Sequence, residues 1–559
     1  SISSLGPIKA IGTKTEPVIF KSNPQNPDKK WGNITIKNAL DTIWLKHVII
    51  ENASEGPNPV RDIAALAIDN STVVMDSIDV VNIYKNPINV YNSQTTFINS
   101  RLHSDYTGCD LINVKKGKIL MLNDEFIGND KVDCDAIDFG DMTSGSAIVK
   151  NSYFHDMDGF NSDAVDLGDH SKNVIIDGIV AYNFQDKGVS IGQQSSTKIT
   201  NSVFINCGMG AGMKDSSSVH IDHCTYYGNF YALANYQKHP GDAGSNLVVT
   251  NTILSNSYES GYFSDEYSAL SISNSSDDTE LLPAGKNNLN VNPLFTNVAV
   301  NDFSLLPGSP LIGAATNGTI GANLKLPVLP VSPMISDIAY MTDLATEDLE
   351  FIGLYNPGNS RIQLDSCQFA SGVAYLFPIG TSIGAKEKIY ITSNAASAFW
   401  NNKGATVYQW ESGHLADEGE KIQLANKYGK VIDQVIYNNK APWPLPQTSK
   451  EGITLTSFNV DNHFGENWKL LSIDGMVNAP RISKNQSITV YPNPATDQLR
   501  ITVNGDTNLT GEMYSSLGQL VKQIKLNSNG EVTIDVSSLE KGLYLIKIGN
   551  YSSKILISK

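Results

Sequence analysis

The residues best suited to chemistry are four aspartates in two phrases of the same pattern, Asp135-Ala-Ile-Asp138 and Asp163-Ala-Val-Asp166. When the phrases are aligned, Asp135 stands over Asp163 and Asp138 over Asp166. Carboxylates held this close raise one another's pKa or bind a cation, and hard oxygen ligands suit Ca²⁺. We therefore predict a calcium site formed by these four side chains. The alternative is an acidic edge that water solvates. Two further aspartates flank the set: Asp141 and Asp169.

Two lysines follow the aspartates in the next aligned segments. Lys187 comes one segment beyond Asp163, and Lys214 comes two segments beyond Asp166. A lysine can abstract a proton when a nearby cation lowers its pKa, and a charged lysine can bind a carboxylate or a sulfate. We predict that Lys214 is a catalytic base and that Lys187 clamps an anionic group of the substrate. The alternative for Lys214 is an exposed or anion-binding lysine without a catalytic role.

Histidines and tyrosines gather in the later segments. A His–Tyr pair can act as base and acid, so this cluster is a second candidate for the chemistry, although aromatic rings also stack on sugars or pack in protein interiors. We predict Tyr231, His170 and His223 as substrate-binding residues. Tyr226 shares a column with Phe204 and is predicted to be a core residue. The cluster comprises His155, His170, His220, His223, Tyr226, Tyr227, Tyr231, Tyr236 and His239.

The elements that must position these residues are repeated strands. Eight segments align with a period of roughly two dozen residues, which is typical of a solenoid. The third residue of each segment is aliphatic and the fourth is mostly polar, and this alternation indicates strands with one buried face. A second set of short strands lies between them, with Gly, Asn, Asp and Ser at the corners. The pattern predicts a parallel β-helix. The segments begin at Ala64, Asn86, Asp110, Asp135, Asp163, Lys187, Ala211 and Tyr231.

The fourth residues of these segments form one predicted outward column. Adjacent coils of a β-helix lie ~5 Å apart, so Asp138 and Asp166 are predicted to be neighbours, with Lys214 ~10 Å from Asp166. Small residues at the second position leave a shallow groove beside the column, in which a linear polymer could lie. The column is Asn89, Asn113, Asp138, Asp166, Ser190, Lys214 and Ala234.

Composition narrows the class of protein. A chain of 559 residues is expected to form three or four domains. Its formal charge of −16 argues against a nucleic-acid partner, because binding phosphate requires a basic surface. There is no run of eighteen apolar residues, so no membrane span is predicted. The first residues do not have the pattern of an export signal, which we expect to be removed or to lie outside this chain.

The five cysteines do not form a C-x-x-C pair, so zinc binding and thioredoxin-like chemistry are not indicated. Cys109 and Cys134 each precede the first position of a segment, which places them on adjacent coils at a separation that a disulfide can span. Stacked reduced thiols are the alternative.

We divide the chain into a β-helix over residues 1–326, a Pro-rich linker over 327–333, a compact all-β module over 334–471, a second linker over 472–486 and a terminal module over 487–559. Closely spaced prolines cannot supply backbone donors to a sheet, which is why the solenoid is predicted to end at Pro327. The predicted fold class is all-β, a right-handed parallel β-helix followed by two small β-sandwich domains.

Three parts of the chain resemble known families. The phrase Pro307-Gly-Ser-Pro-Leu-Ile-Gly resembles the terminal coil of secreted right-handed β-helix proteins. The segments Glu350-Phe-Ile-Gly-Leu-Tyr-Asn-Pro357 and Tyr375-Leu-Phe-Pro-Ile-Gly-Thr resemble the lamin-tail domain, an immunoglobulin-like sandwich. The ordered phrases that begin at Ile488, Tyr514 and Leu539 resemble the C-terminal sorting domain of type IX secretion in Bacteroidetes. This last resemblance implies export by the type IX machinery to the medium or the outer-membrane surface.

The acidic ladder followed by lysines is similar to the arrangement in calcium-dependent pectate lyases with a lysine base. This resemblance implies a secreted polysaccharide lyase that cleaves an acidic glycan, a uronate or sulfated polymer, by β-elimination. The second hypothesis is a non-catalytic surface adhesin or glycan-binding solenoid. The first residues already have the pattern of strands of a coil. The second hypothesis therefore includes the case in which this chain is the C-terminal part of a larger protein whose enzyme domain lies upstream.

Overall fold

The computed structural model describes residues 1–4, 8–23, 25, 30–58, 61–104, 106, 108–143, 145–283, 286–341, 349–474, 476, 488–491, 495–503, 510–515, 519–527, 531–548 and 551–558. The described chain is all-β, with helical structure only in three short 3₁₀ turns at Val298–Val300, Ala398–Asn402 and Gly465–Asn467. None of these turns has the length and apolar character needed to cross a membrane. The predicted fold class is confirmed.

The first 29 strands pair in parallel and wind into a β-helix with three faces. The groove face contains Ile2–Ser4, Ile34–Lys37, Ala64–Asp69, Ile137–Gly140, Val165–Leu167, Lys187–Ile191, Met209–Lys214, Tyr231–Tyr236 and Ser260–Ser264. The second face contains Lys9–Ile11, Ser146–Lys150, Val174–Asp177, Ser196–Thr200, Ser218–Asp222, Asn246–Thr250 and Ala269–Ser273. The third face contains Val18–Phe20, Arg101–Ser104, Glu125–Ile127, Tyr153–Met157, Val180–Phe184, Val203–Ile205, Thr225–Tyr227, Ile253–Ser255 and Ser276–Asp277.

Four longer strands bend across two faces. Two of them run from the groove face to the second face, and the other two run from the second face to the third. The first pair is Asn86–Ile98 and Ile112–Leu122, and the second pair is Ile43–Glu51 and Thr72–Ile83.

The interior of the β-helix is built from stacks of identical or similar side chains. The aliphatic third positions Ile88, Ile112 and Ile137 pair in register and are fully buried, as predicted. On the third face, the Phe126 and Phe154 rings stack with centroids 4.6 Å apart. Tyr226 pairs with Phe204 and stacks on it at 4.7 Å, which confirms its predicted place in the core.

Replacing Phe126 with alanine is expected to lower the free energy of unfolding by about 3–5 kcal/mol, because it removes the middle ring of a buried stack and leaves a cavity. Chemical denaturation measures the change. Phe160→Ala is the matched control, because this ring is 74% exposed. Equal losses in the two variants would contradict the assignment of Phe126 to the core.

Short polar side chains tie one coil to the next at the corner between the second and third faces. The N–H of Ser100 donates to Asp124 Oδ1 at 2.9 Å, and the N–H of Asp124 donates to Ser152 Oγ at 3.2 Å. Burial raises the pKa of Asp124 to about 8. The residue before a position in this corner ladder is in the left-handed region, and at most positions it is an asparagine, which tolerates that conformation. Examples are Asn99, Asn123, Asn151, Asn201 and Asn251.

The cysteines are free thiols. Cys109 and Cys134 lie on adjacent coils, as predicted, and the N–H of Cys109 donates to Cys134 Sγ at 3.3 Å. Of the two alternatives, the structure shows the stacked reduced pair.

An antiparallel pair, Phe295–Asn297 with Asp302–Leu305, follows the last coil. The next region is a sandwich whose two main sheets enclose an apolar core. One sheet contains Thr406–Gln409, Lys388–Thr392, Phe351–Tyr355, Met334–Ala339, Glu451–Leu455 and Trp468–Ser472, in that order. The other contains Gln368–Ser371, Lys421–Ala425 and Val431–Ile436, and a small pair joins Ile362–Gln363 to Ser382–Ile383. The β-helix and most of this sandwich form one compact unit, residues 1–393 and 408–473.

The second unit contains residues 394–407 and 474–559. Its C-terminal part has two antiparallel sheets around a separate apolar core. One sheet contains Ile488–Tyr491, Gln498–Val503 and Glu531–Asp535, and the other contains Leu520–Lys525, Thr510–Ser515, Gly542–Ile548 and Tyr551–Ile557. Most of the linker predicted at 472–486 and parts of two sorting phrases, 492–494 and 516–518, lie outside the described residues.

Candidate functional site

Six of the seven residues predicted for the outward column stand in one column on the groove face, and the exception is Lys214. Asn89, Asn113, Asp138, Asp166 and Ser190 stand opposite one another on successive coils. Their side chains point away from the core because their neighbours along each strand are the buried aliphatic residues. Beyond Ser190 the column continues through Gly212, Ala234 and Phe263.

The predicted place of Lys214 in this column is wrong. Gly212 stands opposite Ser190, and Lys214 lies two residues further along its strand, opposite Tyr236. A shift of two residues leaves every side chain on the same face of the sheet, so the alternation of polar and apolar residues could not distinguish the two registers. Lys214 nevertheless reaches back to the column, because its Nζ donates to Ser190 Oγ at 2.8 Å.

The aspartates at the start of the strands bind backbone. Asp110 Oδ1 accepts the N–H of Asp135 at 3.3 Å, and Asp135 Oδ1 accepts the N–H of Asp163 at 2.7 Å. Asp163 Oδ1 then accepts the N–H of Lys187 at 2.8 Å. Each carboxylate therefore connects its coil to the next, and one oxygen of Asp135 and one of Asp163 are already used.

The two aspartates of the outward column differ in their surroundings. Asp138 Oδ2 accepts a hydrogen bond from Asn113 Nδ2 at 2.6 Å, whereas Asp166 accepts none from the described residues. Burial, together with the negative charges of Asp110 and Asp166, raises the pKa of Asp138 to about 7. Burial also raises the pKa of Asp163 to about 7, although the charge of Lys187 opposes the shift. Burial is also the main cause that raises the pKa of Asp135.

These carboxylates fit Ca²⁺ in the chemical type of their oxygen atoms, and Asp166 has both oxygens available within the described structure. The oxygen atoms of the four predicted ligands, Asp135, Asp138, Asp163 and Asp166, do not converge on one point as a preformed calcium site would require. Within the described ranges, one group of three His, Cys, Asp or Glu side chains brings its ligand atoms within 4.8 Å of one another, and it comprises Asp215, His239 and Asp242. Calcium at the predicted site would be held by Asp138 and Asp166, with Asp135 and Asp163 able to offer one oxygen each.

Calcium is expected to raise the melting temperature, and Asp166→Ala is expected to abolish that response. Without calcium, the carboxyl pKa of about 7 at Asp138 exceeds the ordinary value, so its stabilising contribution is present at low pH and is lost as pH rises through 7. The melting temperature should therefore fall between pH 4 and pH 8, and calcium should reduce this fall. Calorimetry with and without calcium measures both effects.

Asp41→Ala, which changes an exposed aspartate far along the chain, is the control for this calcium experiment. A calcium response of equal size in wild type and in Asp166→Ala would contradict the predicted calcium site.

Lys187 is enclosed rather than free. Its Nζ donates to Asp186 and lies 3.5 Å from Asp163 Oδ1, and its side chain is 8% exposed. The aliphatic part packs over the backbone of Gly212, where an added Cβ would lie 2.9 Å from Lys187 Cδ. Burial disfavours the charge, but the two carboxylates outweigh it and raise the pKa. Lys187 stays protonated, and acting as a substrate clamp would require it to exchange one of these partners.

Lys214 has the opposite electrostatic character. Burial lowers the pKa of its ammonium, and the positive charges of Lys187 and Lys238 lower it further, while the groove carboxylates oppose the shift. A lysine whose pKa is lowered is a stronger candidate for a general base than one at its ordinary value, because more of it is neutral near physiological pH.

Tyr236 belongs to the predicted His and Tyr cluster, but its pairing with Lys214 was not predicted. It is half-buried opposite Lys214, and burial raises the pKa of its hydroxyl, so it remains a proton donor. The correct register of the Met209–Lys214 strand would have shown this pairing, but its sequence aligns equally well two residues away.

The three predicted substrate-binding residues do not all lie at one place in the structure. Tyr231 lies on the groove face, with its ring centroid 5.1 Å from Phe230 and 6.2 Å from Phe263. His170 is exposed in the turn that follows Val165–Leu167, at the rim of the same face. His223 is in the turn after Ser218–Asp222, between the second and third faces, where it lines a separate cavity of about 1780 Å³.

Family comparisons agree with this architecture. Residues 133–253 match the right-handed β-helix region, residues 331–439 match the lamin tail domain, and residues 489–559 match the secretion system C-terminal sorting domain. The chain is thus a β-helix protein that is secreted through the type IX system to the cell surface. Its modules, in order, are a right-handed β-helix, a lamin tail domain and a type IX sorting domain.

No protein of curated function matches the chain. Similar solved structures include the periplasmic alginate epimerase AlgG, with 11% identity and a TM-score of 0.27 over 48% of this chain and 77% of that one. PfbA, a surface adhesin of Streptococcus pneumoniae, has 14% identity and a TM-score of 0.26 over 48% and 77% of the two chains. XylC in complex with xylose has 11% identity and a TM-score of 0.23 over 64% and 66%.

Proposed function

We propose that the β-helix is a polysaccharide lyase that binds an acidic glycan along the groove face and cleaves it by β-elimination. The observation that carries this proposal is Lys214, a half-buried lysine of lowered pKa that lies on the groove face, beside the outward column that contains Asp138 and Asp166, and opposite a tyrosine. A structural lysine on a sheet surface gains nothing from a lowered pKa, whereas a proton-abstracting base does.

In this reaction the neutral Nζ of Lys214 takes the proton from C5 of a uronate unit. The electron pair of that C–H bond forms the C4–C5 double bond, the bond from C4 to the glycosidic oxygen breaks, the leaving oxygen takes up a proton from water, and Lys214 afterwards returns its proton to solvent. Tyr236 lies on the adjacent strand and is protonated, so it is placed to interact with a group bound next to Lys214. General acid–base catalysis of this kind contributes about 10²–10⁴ in rate.

The charge of the groove constrains the substrate. The carboxylates of Asp110, Asp135, Asp138, Asp163 and Asp166 outnumber the nearby lysines, so a polyanion would be repelled by the ionised groove. Calcium bound at Asp138 and Asp166 would offset this repulsion and neutralise the carboxylate of a uronate, which makes its C5 proton more acidic. We therefore expect both binding and turnover to depend on a divalent cation.

The proposal is tested by incubating the full chain with uronic-acid and sulfated glycans, with calcium or with a chelator, and following the ultraviolet absorbance of unsaturated products. Absorbance that grows with calcium supports the lyase. Binding without product would instead support a glycan-binding surface protein.

That second function, an adhesin or a glycan-binding solenoid, is favoured by the aromatic residues at the end of the groove. Phe263 occupies the outward column and is 45% exposed, and Tyr231 lies beside it. Exposed aromatic faces at the end of a polar groove suit stacking on sugar rings. A platform of this kind serves binding with or without catalysis.

A further inference from the structure

The lamin tail domain inserts charged side chains into the β-helix. Lys430 is in the turn between Lys421–Ala425 and Val431–Ile436, and its side chain is only 6% exposed. Its Nζ lies 3.3 Å from Asp158 Oδ1, donates to Asn183 Oδ1 and lies 3.4 Å from the Asn206 carbonyl oxygen. These three partners lie in or just after the last residues of third-face strands on three successive coils, a place that we call the docking corner, so one lysine bridges three turns of the β-helix.

A second insertion lies further along the same side. His463 of the lamin tail domain stands between Asp461, 2.7 Å from its Nδ1, and Asp278 of the β-helix, 3.5 Å from its Nε2. Burial disfavours the imidazolium, but the two carboxylates outweigh it and raise the pKa to about 10. The hydroxyl of Tyr227, at the end of a third-face strand, donates to Asp461 Oδ2 at 2.8 Å.

Buried charges of this kind specify one docked geometry. Removing a charged group from water is costly, and only a well-placed partner offsets the cost. A shift of the domain by one coil would take Lys430 away from Asp158 and His463 away from Asp278 at the same time. Apolar contact alone would tolerate such a shift, but two separated buried ion pairs do not.

The docking corner leads directly into the groove face. Asn183 comes four residues before Lys187, which begins the next groove-face strand, and Asn206 comes three residues before Met209, which begins the strand that carries Lys214. Two contacts of Lys430 thus lie three to four residues before the groove-face strands that carry Lys187 and Lys214.

We propose that the lamin tail domain is a fixed clasp on the β-helix, specified by Lys430 and His463, and that it holds the corner from which the groove-face strands at Lys187 and Met209 begin. The clasp is independent of whether the groove catalyses a reaction. It implies that the β-helix and the lamin tail domain unfold as one unit and that loosening the clasp loosens this part of the groove.

The test compares the full-length Lys430→Met and Lys440→Met variants by calorimetry and by hydrogen exchange resolved to peptides. Lys440 is an exposed lysine of the same domain and serves as the control. We expect the melting transition that the two domains share in wild type to split in Lys430→Met, and exchange in the peptides around 183–191 and 206–214 to rise at least tenfold. Lys440→Met should match wild type. Separate transitions for the two domains in wild type, or exchange in Lys430→Met equal to that of Lys440→Met, would overturn the proposal.

Two further variants keep the test decisive if Lys430→Met does not fold. His463→Asn removes the other insertion and should also raise exchange in 206–214, although it lies in a different part of the interface. The double variant Lys430→Met with Asp158→Asn removes both charges of one pair and should recover part of the protection lost in the single variant, because no uncompensated carboxylate remains. Wild-type exchange in His463→Asn, or no recovery in the double variant, would show that these charges do not specify the docking.

Discussion

Lys214→Ala is expected to reduce the rate of β-elimination by about 10²–10⁴ while the glycan still binds. The variant removes the group that takes the proton in the transition state but leaves the rest of the groove in place. Lys214→Arg should be equally inactive, because an arginine keeps the positive charge and cannot act as a base at neutral pH. Turnover is measured from unsaturated product and binding from glycan affinity, and a loss confined to turnover identifies a base rather than a binding contact.

The pH profile gives an independent measurement of the same role. Because Lys214 must be neutral to act, kcat/KM should rise with pH through its lowered pKa. Lys187→Met removes a nearby positive charge that keeps this pKa low, so the rising limb should move to higher pH. Lys198→Ala, an exposed lysine on the second face, is the control and should leave the profile unchanged. Retained turnover in Lys214→Ala would contradict the assignment of Lys214 and would indicate that the base belongs to the His and Tyr cluster.

Deleting residues 487–559 is expected to trap the remaining chain in the periplasm, an all-or-none change in location. The matching sorting domain occupies 489–559, and the type IX system recognises its cargo through that domain. Cell fractionation and protease treatment of intact cells measure the distribution. Normal surface delivery of the shortened chain would refute the assignment.

Misfolding must be separated from loss of the sorting signal in this deletion. The β-helix and most of the lamin tail domain form their own compact unit, which ends before the deleted segment. The melting transition of the β-helix should therefore survive the deletion. Attaching residues 487–559 to an unrelated periplasmic protein should bring that protein to the surface, and the same protein without them should stay in the periplasm.

The β-helix could be predicted because every coil repeats the same local constraint. Ile88, Ile112 and Ile137 must face the core on successive coils, and Asp138 and Asp166 must then face outwards. The register at Lys214 could not be predicted in this way. Ala211 and Met213 are both apolar and both buried, so either one satisfies the inward position, and only the complete backbone pairing selects Ala211.

The clasp and the ion pairs of Lys187 could not be predicted from the sequence either. Lys430 and Asp158 are 272 residues apart, and no periodic pattern links them. The phrase Asp186-Lys187 was visible, but the packing of the lysine stem over Gly212 depends on the neighbouring coil. Contacts between modules depend on the shapes of two finished surfaces, which single segments of sequence do not encode.

The corner ladder also bears on how such a protein can change over evolutionary time. Neighbouring bonds of the ladder span different lengths of chain, 24 residues from Ser100 to Asp124 and 28 from Asp124 to Ser152, yet each coil is attached in the same manner. Compared with the preceding coil, the longer coil has one more residue before Ile137 and three more between Ile137 and Ser146, so the added residues lie in the turns at the two edges of the groove face and the stacked interior keeps its register. Insertions and deletions in those turns can therefore reshape the rim that a polymer meets, so new ligand preferences can arise while the same core is inherited.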